Sequence, residues 1–109
     1  MRFAIPLADG KLAVHFGHCA SFALLDVAPD GKSLMMREDV EAPPHQPGLL
    51  PPWLAQRGVK RIIAGGMGQR AQTLFAEHGI EVIVGAPVET PEALVAQCIA
   101  GTLAVGANA

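Results

Sequence analysis

The side chains best suited to binding a metal are concentrated in one short segment of the chain. Residues 15–19 read His15-Phe16-Gly17-His18-Cys19, and a third imidazole, His45, follows in a proline-rich stretch. Imidazole and thiolate groups are the ligands that zinc, copper and iron–sulfur-type clusters favour. Phe16 and Gly17 allow a tight turn that directs the flanking side chains to one side. We therefore predict a metal site formed by His15, His18, Cys19 and His45.

The spacing of these ligands leaves the kind of metal open. It matches no stereotyped zinc finger, and the two cysteines of the chain, Cys19 and Cys98, cannot supply the four thiolates of an ordinary iron–sulfur centre. A cluster bound here would have few protein ligands, so it could be passed on to another protein. The alternatives are a mononuclear, zinc-like site that stabilises a small regulatory or interaction module, and a surface loop that carries its histidines by chance.

A glycine-rich segment, Gly65-Gly66-Met67-Gly68, is the second candidate binding element. It lies between a predicted strand and a predicted helix, where backbone N–H groups and the helix dipole favour anions. Arg70 could help to hold an anionic ligand, and Met67 could add a thioether. The segment lacks both the dinucleotide fingerprint and the lysine of a P-loop, so we infer no nucleotide. In the competing interpretation the glycines only permit a tight turn and close packing of the helix.

The remaining reactive side chains do not indicate catalysis. Asp9 and Asp26 do not form the carboxylate cluster that two-metal catalysis requires, and no Ser–His–Asp arrangement is readable. His78 lies at the end of a predicted helix, where the helix dipole favours a cation. Cys98 lies on the apolar stripe of the last predicted helix and is expected in the core. We predict that the protein is not an enzyme.

Hydrophobic periodicity and turn residues predict the elements that must position these candidates. A connector over residues 41–52 contains five of the nine prolines and separates a strand-rich half from a half in which helices and strands alternate. Thr90 has the type and position of a helix N-cap. The predicted strands cover residues 2–7, 21–27, 32–40, 59–64 and 80–84, and the predicted helices cover residues 53–57, 69–78 and 91–99.

Turns join the first three predicted strands, and helical crossovers lead to the last two. This pattern predicts a mixed five-stranded α/β sheet with flanking helices, in the order 3-2-1-4-5 counted along the chain. In that order strands 1, 3, 4 and 5 point the same way, so the loops after them meet at one edge. Those loops contain residues 15–19, His45, residues 65–68 and residues 85–87. Open α/β sheets bind ligands at the carboxyl ends of their strands.

The composition excludes several classes of function. A chain of 109 residues is expected to form one domain over residues 1–109. Ten acidic and eight basic side chains give a net charge of −2 without a basic run, which argues against nucleic acid as a partner. No apolar run reaches the ~18 residues of a membrane helix, and no signal peptide is readable. Because two cysteines cannot form a disulfide scaffold, we expect a cytoplasmic protein. The oligomeric state stays open.

Several motifs occur in the same order as in one protein family. They are Ile5-Pro6, His15-Phe16-Gly17-His18-Cys19, Pro44-His45-Gln46-Pro47-Gly48, Ile63-Ala64-Gly65-Gly66-Met67-Gly68-Gln69-Arg70-Ala71, and Gly79-Ile80-Glu81-Val82 with Gly85. On these motifs the chain, from residue 1 to about residue 103, resembles the dinitrogenase iron-molybdenum cofactor biosynthesis family, the NifX-like and NifB C-terminal-like small domains. The form with His18-Cys19 looks like its stand-alone subgroup, which occurs also in organisms that do not fix nitrogen.

The resemblance implies a ribonuclease H-like α/β sandwich that binds or carries an iron–sulfur or molybdenum–iron–sulfur cluster precursor without catalysis. A cluster donor protein and a cluster acceptor protein are then the expected partners. The resemblance makes His15 the foremost cluster contact, and His18, Cys19 and His45 are additional ligands of this version. With the glycine-rich segment included, the expected cofactor contacts are His15, Gly65, Gly66, Met67, Gly68 and Arg70.

Overall fold

One mixed sheet of six strands forms the frame of the protein in the computed structural model, which describes residues 1–14, 16, 19–31, 33–43 and 48–103. The apolar stretches of the sequence form its central strands, because they are covered on both faces. The strands are β1 (Arg2–Ala8), β2 (Lys11–Leu12), β3 (Ser21–Val27), β4 (Leu34–Glu41), β5 (Val59–Ile63) and β6 (Glu81–Ile83).

The neighbouring strands of the sheet run in the order β4-β3-β1-β5-β6, and β2 pairs with β1 outside this path. The pairs β1–β3 and β3–β4 are antiparallel, whereas β1–β5 and β5–β6 are parallel. The predicted mixed α/β class is therefore confirmed. The five predicted strands occur as β1, β3, β4, β5 and β6, with ends that differ from the prediction by at most two residues.

The prediction of five strands was one short, because it missed β2. The chain reverses at Asp9 and Gly10, whose φ angles are 54° and 80°, and Leu12 then pairs with Leu7 of β1. A strand of two residues is too short to show an alternating pattern in the sequence. Only the pairing with β1 defines it.

In the part of the chain that the structure describes, three helices cover the sheet: α1 (Leu50–Gln56), α2 (Gln69–Glu77) and α3 (Pro91–Ala100). The predicted start of the first helix at residue 53 was wrong, since Pro51 and Pro52 lie inside its first turn. Backbone N–H groups there have no partner within the helix, so proline is tolerated. The predicted N-cap of α3 is confirmed, because the Thr90 hydroxyl accepts a hydrogen bond from the Ala93 N–H at 3.4 Å. None of the helices in the described ranges is long and apolar enough to span a membrane.

The core consists of two apolar layers, one on each face of the sheet. The layer under α3 is formed by Phe3, Ile5, Leu7, Leu12, Ala23, Leu25, Val27, Ile63, Ala86, Leu94 and Val95. The layer under α1 and α2 is formed by Ala4, Phe22, Leu24, Leu54, Val59, Ile62, Phe75 and Ile80. We call this second layer the α1/α2 core. Since β1 contributes to both layers, the connections that leave its carboxyl end start from a rigid strand.

Candidate functional site

Three connecting segments meet where the parallel strands β1, β5 and β6 end. Backbone hydrogen bonds join them directly: the Phe16 N–H donates to the Gly66 carbonyl at 3.2 Å, and the Gly66 N–H donates to the Val14 carbonyl at 3.1 Å. In the connection that follows β6, the Gly85 N–H donates to the Gly65 carbonyl at 2.7 Å. This edge of the sheet is therefore a continuous backbone platform, at the place where open α/β sheets bind ligands.

The structure places only some of the predicted ligands. His15, His18 and His45 lie outside the described residues, whereas Cys19 is described and is half-buried. Within the described ranges, no three His, Cys, Asp or Glu side chains come together in a way that could hold a metal ion. The four-residue ligand set, of which Cys19 is the described member, therefore stays a prediction.

The thiol of Cys19 lies against apolar groups. It packs against the α1/α2 core, as Phe16 and Met67 do. Burial raises the pKa of the Cys19 thiol above its ordinary value, because a thiolate is poorly solvated there. A metal that takes Cys19 as a ligand must therefore displace its proton, so binding should release acid and weaken at low pH.

The glycine-rich segment is shaped by a close approach of two backbones. A Cβ atom on Gly65 would lie 3.1 Å from the Val14 carbonyl oxygen and 3.4 Å from that of Ala13. Glycine at this position is therefore explained by packing, as the competing interpretation had it. The Gly66 N–H is also occupied, since it donates to Val14.

The anion-binding prediction rests more strongly on the end of the segment that leads into α2. Gly68 is the N-cap of α2, has no side chain to cap the helix, and has open space around a hypothetical Cβ atom. Arg70 follows in the first turn of α2, and its side chain is exposed. Met67 is half-buried against the α1/α2 core, and its carbonyl accepts a hydrogen bond from Gln72 at 2.9 Å. The Met67 thioether therefore takes part in packing against this core.

Phe16 connects this backbone platform to a cluster of aromatic side chains in the core. The Phe16 ring lies 5.5 Å from Phe75 in an edge-to-face arrangement and 6.1 Å from Phe22. Trp53 of α1 also packs near Phe22, with 5.9 Å between ring centroids. Sequence reasoning treated Phe16 only as part of a turn and so missed its contacts with the core. The signal that could have indicated these contacts was a single large apolar side chain between polar loop residues.

Comparisons with known proteins agree with this fold. The sequence profile of the family described as dinitrogenase iron-molybdenum cofactor matches residues 1–101. An uncharacterized protein of Methanocaldococcus jannaschii is 29% identical over 87 residues, which are 75% of this chain and 72% of that protein. The crystal structure of PH0822 is similar with a TM-score of 0.89 and 30% identity, over 99% of this chain and 96% of that chain.

A further solved structure is the apo form of the orange protein from Desulfovibrio gigas. It is similar with a TM-score of 0.76 and 25% identity, over 97% of this chain and 92% of that chain. Nearly the whole of each chain is covered in both structural matches, so the sheet and its covering helices are shared as one unit.

Proposed function

The chain belongs to the dinitrogenase iron-molybdenum cofactor family, and from that premise we propose that it binds and carries a metal–sulfur cluster. The cargo is an iron–sulfur or molybdenum–iron–sulfur cluster, or a precursor of one, in metallocofactor assembly. The protein acts as a carrier and not as a catalyst. The observation that carries the proposal is the family match over residues 1–101, which includes both candidate binding segments.

In this proposal His15, Cys19 and His45 ligate the cluster, and His18 either ligates it or orients a neighbouring ligand. The half-buried Cys19 thiol supports this assignment, because thiolates suit iron, copper and molybdenum–sulfur groups and an apolar surrounding shields the bound cluster from water. A cluster of this kind is negatively charged. The Gly68 end of the glycine-rich turn, together with Arg70, would receive that charge at the start of α2.

A site with so few protein ligands is suited to transfer. The cluster keeps open positions through which an acceptor protein can take it, and a donor protein can deliver it in the same way. We place this exchange in the cytoplasm, with a donor and an acceptor as the partners. A ribonuclease H-like description of the fold agrees with this account and stays a prediction.

The proposal is tested by analysing the metal and acid-labile sulfide of protein purified without oxygen. The wild type is compared with His15→Ala, Cys19→Ser and His45→Ala. His78→Ala is the matched control, since His78 is exposed at the end of α2 and its Nδ1 lies 2.9 Å from the Leu74 carbonyl. We expect iron and sulfide in the wild type and in the control, and their loss in the three ligand variants.

Two other results would contradict the proposal. Stoichiometric zinc without sulfide would identify a mononuclear site that stabilises a regulatory or interaction module, and such a protein should lose stability when a chelator is added. A protein that takes up no metal, even after reconstitution with iron and sulfide, would exclude both functions.

A further inference from the structure

Strand β4 forms one edge of the sheet. Among the strands that the structure describes, only β3 pairs with it. The Ala42 N–H, just after β4, donates to the Ala20 carbonyl at 3.1 Å and so faces β3. The direction of the backbone groups alternates from one residue of a strand to the next. The N–H and C=O groups that face away from β3 are therefore those of Arg37, Asp39 and Glu41.

This edge has few of the features that keep other chains from pairing with a strand. Proteins protect such edges with short strands, lysine, proline or a bulge. β4 has eight residues and contains neither lysine nor proline. Its bulge lies near its start, where the register shifts between Asp26 and Val27 of β3, so residues 36–41 pair regularly with β3. The outer edge of this stretch can therefore accept a further strand.

The side chains in the first part of β4 are apolar and exposed. Leu34, Met35 and Met36 follow one another, and the two methionines have relative exposures of 65% and 59%. Methionine side chains are flexible and polarisable, which suits them to surfaces that adapt to another protein. We call these three residues the apolar half of β4.

The side chains in the second part of β4 are mainly acidic. Glu38, Asp39 and Glu41 are exposed, and Arg37 is the only basic side chain of the strand. The Arg37 guanidinium is already held by Asp39, at 2.8 Å and 3.0 Å, and by Glu92 of α3. Carboxylates therefore dominate the charge of this acidic half. They would repel a second copy of β4 and attract a segment of positive charge.

We propose that the outer edge of β4 binds an extended basic segment of a partner protein, which joins the sheet as a further strand. The backbone of that segment exchanges hydrogen bonds with Arg37, Asp39 and Glu41. Its lysine or arginine side chains lie against the acidic half of β4, and an apolar side chain contacts the apolar half. None of the proposed metal ligands takes part, so this inference and the proposed function stand or fall separately.

The probe is a short synthetic peptide of alternating valine and lysine, added to the full chain. A second peptide carries a methyl group on every backbone nitrogen, and a third has glutamate in place of lysine. Fluorescence anisotropy measures the affinity of each. Amide hydrogen exchange, followed by NMR, reports whether the outward N–H groups of Arg37, Asp39 and Glu41 become protected. The N–H groups of Glu38 and Val40, which face β3, are the internal control.

Three variants separate the backbone contribution from the charge. Asp39→Pro removes an outward N–H and leaves the pairing with β3 in place, because proline is tolerated on an edge strand where its nitrogen faces solvent. Asp39→Asn removes only the charge. Glu77→Gln removes a charge from an exposed position at the end of α2. Thermal melting followed by circular dichroism establishes that each variant is folded.

We expect the valine–lysine peptide to protect the three outward N–H groups and to leave those of Glu38 and Val40 unchanged. Asp39→Pro should weaken its binding by about 10-fold or more, since a backbone hydrogen bond is lost and its partner carbonyl is left unsatisfied. Asp39→Asn should weaken it by at most about fivefold, and Glu77→Gln should stay within about twofold of the wild type. The methylated peptide, which tests the wild type without any substitution, should bind about 10-fold more weakly or not at all.

Four results would overturn the inference. Binding without protection of the outward N–H groups, or equal binding of the methylated peptide, would show that charge alone attracts the probe. Equal binding of the glutamate peptide would show that the acidic half selects nothing. Protection of the same N–H groups in the chain alone, accompanied by a dimer in sedimentation, would assign the edge to a second copy.

Discussion

The ion pair between Arg2 and Asp26 fastens the central strand β1 at the end away from the candidate site. The Arg2 Nε lies 2.9 Å from Asp26 Oδ1, and Nη2 lies 3.1 Å from Oδ2, so the contact is bidentate. The remaining nitrogen, Nη1, donates to the Arg57 carbonyl after α1 at 3.0 Å. One side chain thus joins β1, β3 and the end of α1. The two side chains retain relative exposures of 28% and 29%, which limits the screening by water.

We predict that Asp26→Asn lowers the free energy of unfolding by about 1 kcal/mol near neutral pH. Exposed ion pairs contribute roughly 0.2–1 kcal/mol, and hydrogen bonds to charged groups about 1.5–3 kcal/mol when shielded. A bidentate pair that is about a quarter exposed belongs between these ranges. For a domain of this size the loss corresponds to a fall in melting temperature of roughly 4–6 °C. Urea unfolding followed by circular dichroism measures the free energy directly.

The pH dependence of this difference follows from the direction of the pKa shift. The hydrogen bonds from Arg2 lower the pKa of Asp26 below its ordinary value of 3.8. A lowered folded-state pKa stabilises the protein above the unfolded-state pKa, and this contribution disappears as the pH falls through the folded-state pKa. The wild type and Asp26→Asn should therefore differ by the full amount at about pH 7 and converge as the pH falls below 3.8 and through the lowered pKa of Asp26.

Glu81→Gln is the control for this experiment. It breaks the ion pair between Arg61 and Glu81, whose side chains retain relative exposures of 35% and 58%. We expect a loss of less than about 0.5 kcal/mol there. The reasoning would be refuted if Asp26→Asn cost no more than this control, or if its cost were the same at neutral and acidic pH.

The remaining predictions concern the core, a helix cap and the candidate thiol. Phe75→Ala should lower the free energy of unfolding by about 3–5 kcal/mol and Val88→Ala, at an exposed position, by less than about 0.5 kcal/mol, as measured by urea titration. Thr90→Ala should cost about 0.5–1 kcal/mol in the same assay, whereas Thr90→Ser should cost little; equal losses would exclude the cap. Because burial raises its pKa, Cys19 in a Cys98→Ser variant should react with iodoacetamide more slowly when folded than when unfolded in urea; equal rates would contradict that burial.

Much of the fold could be predicted because its signals are local in the sequence. Alternating and continuous apolar stretches indicated the long strands, and Thr90 followed by a proline indicated the start of α3. The start of α1 was wrong by three residues, since Pro51 and Pro52 favour both a stiff connector and a first helical turn. β2 could not be predicted, because its two residues are defined only by their pairing with β1.

The candidate site was less predictable because it depends on contacts between distant segments. The sequence indicated the carboxyl edge of the sheet, but not that glycine is required at position 65 because a Cβ atom there would lie 3.1 Å from the Val14 carbonyl oxygen. It also could not show that Phe16 contacts Phe75, which lies 59 positions further along the chain. Contacts of this kind follow from the packing of a helix on a sheet, which no short motif records.

X-ray absorption at the metal edge tests the central claim of a bound metal–sulfur cluster most directly. The sample is the full chain, loaded with iron and sulfide without oxygen and then freed of unbound metal. The account predicts sulfur as the main neighbour of the metal, a smaller contribution from nitrogen, and a metal–metal shell that only a polynuclear group produces. A shell of nitrogen, oxygen and one sulfur without metal–metal scattering would describe a mononuclear site and contradict the claim.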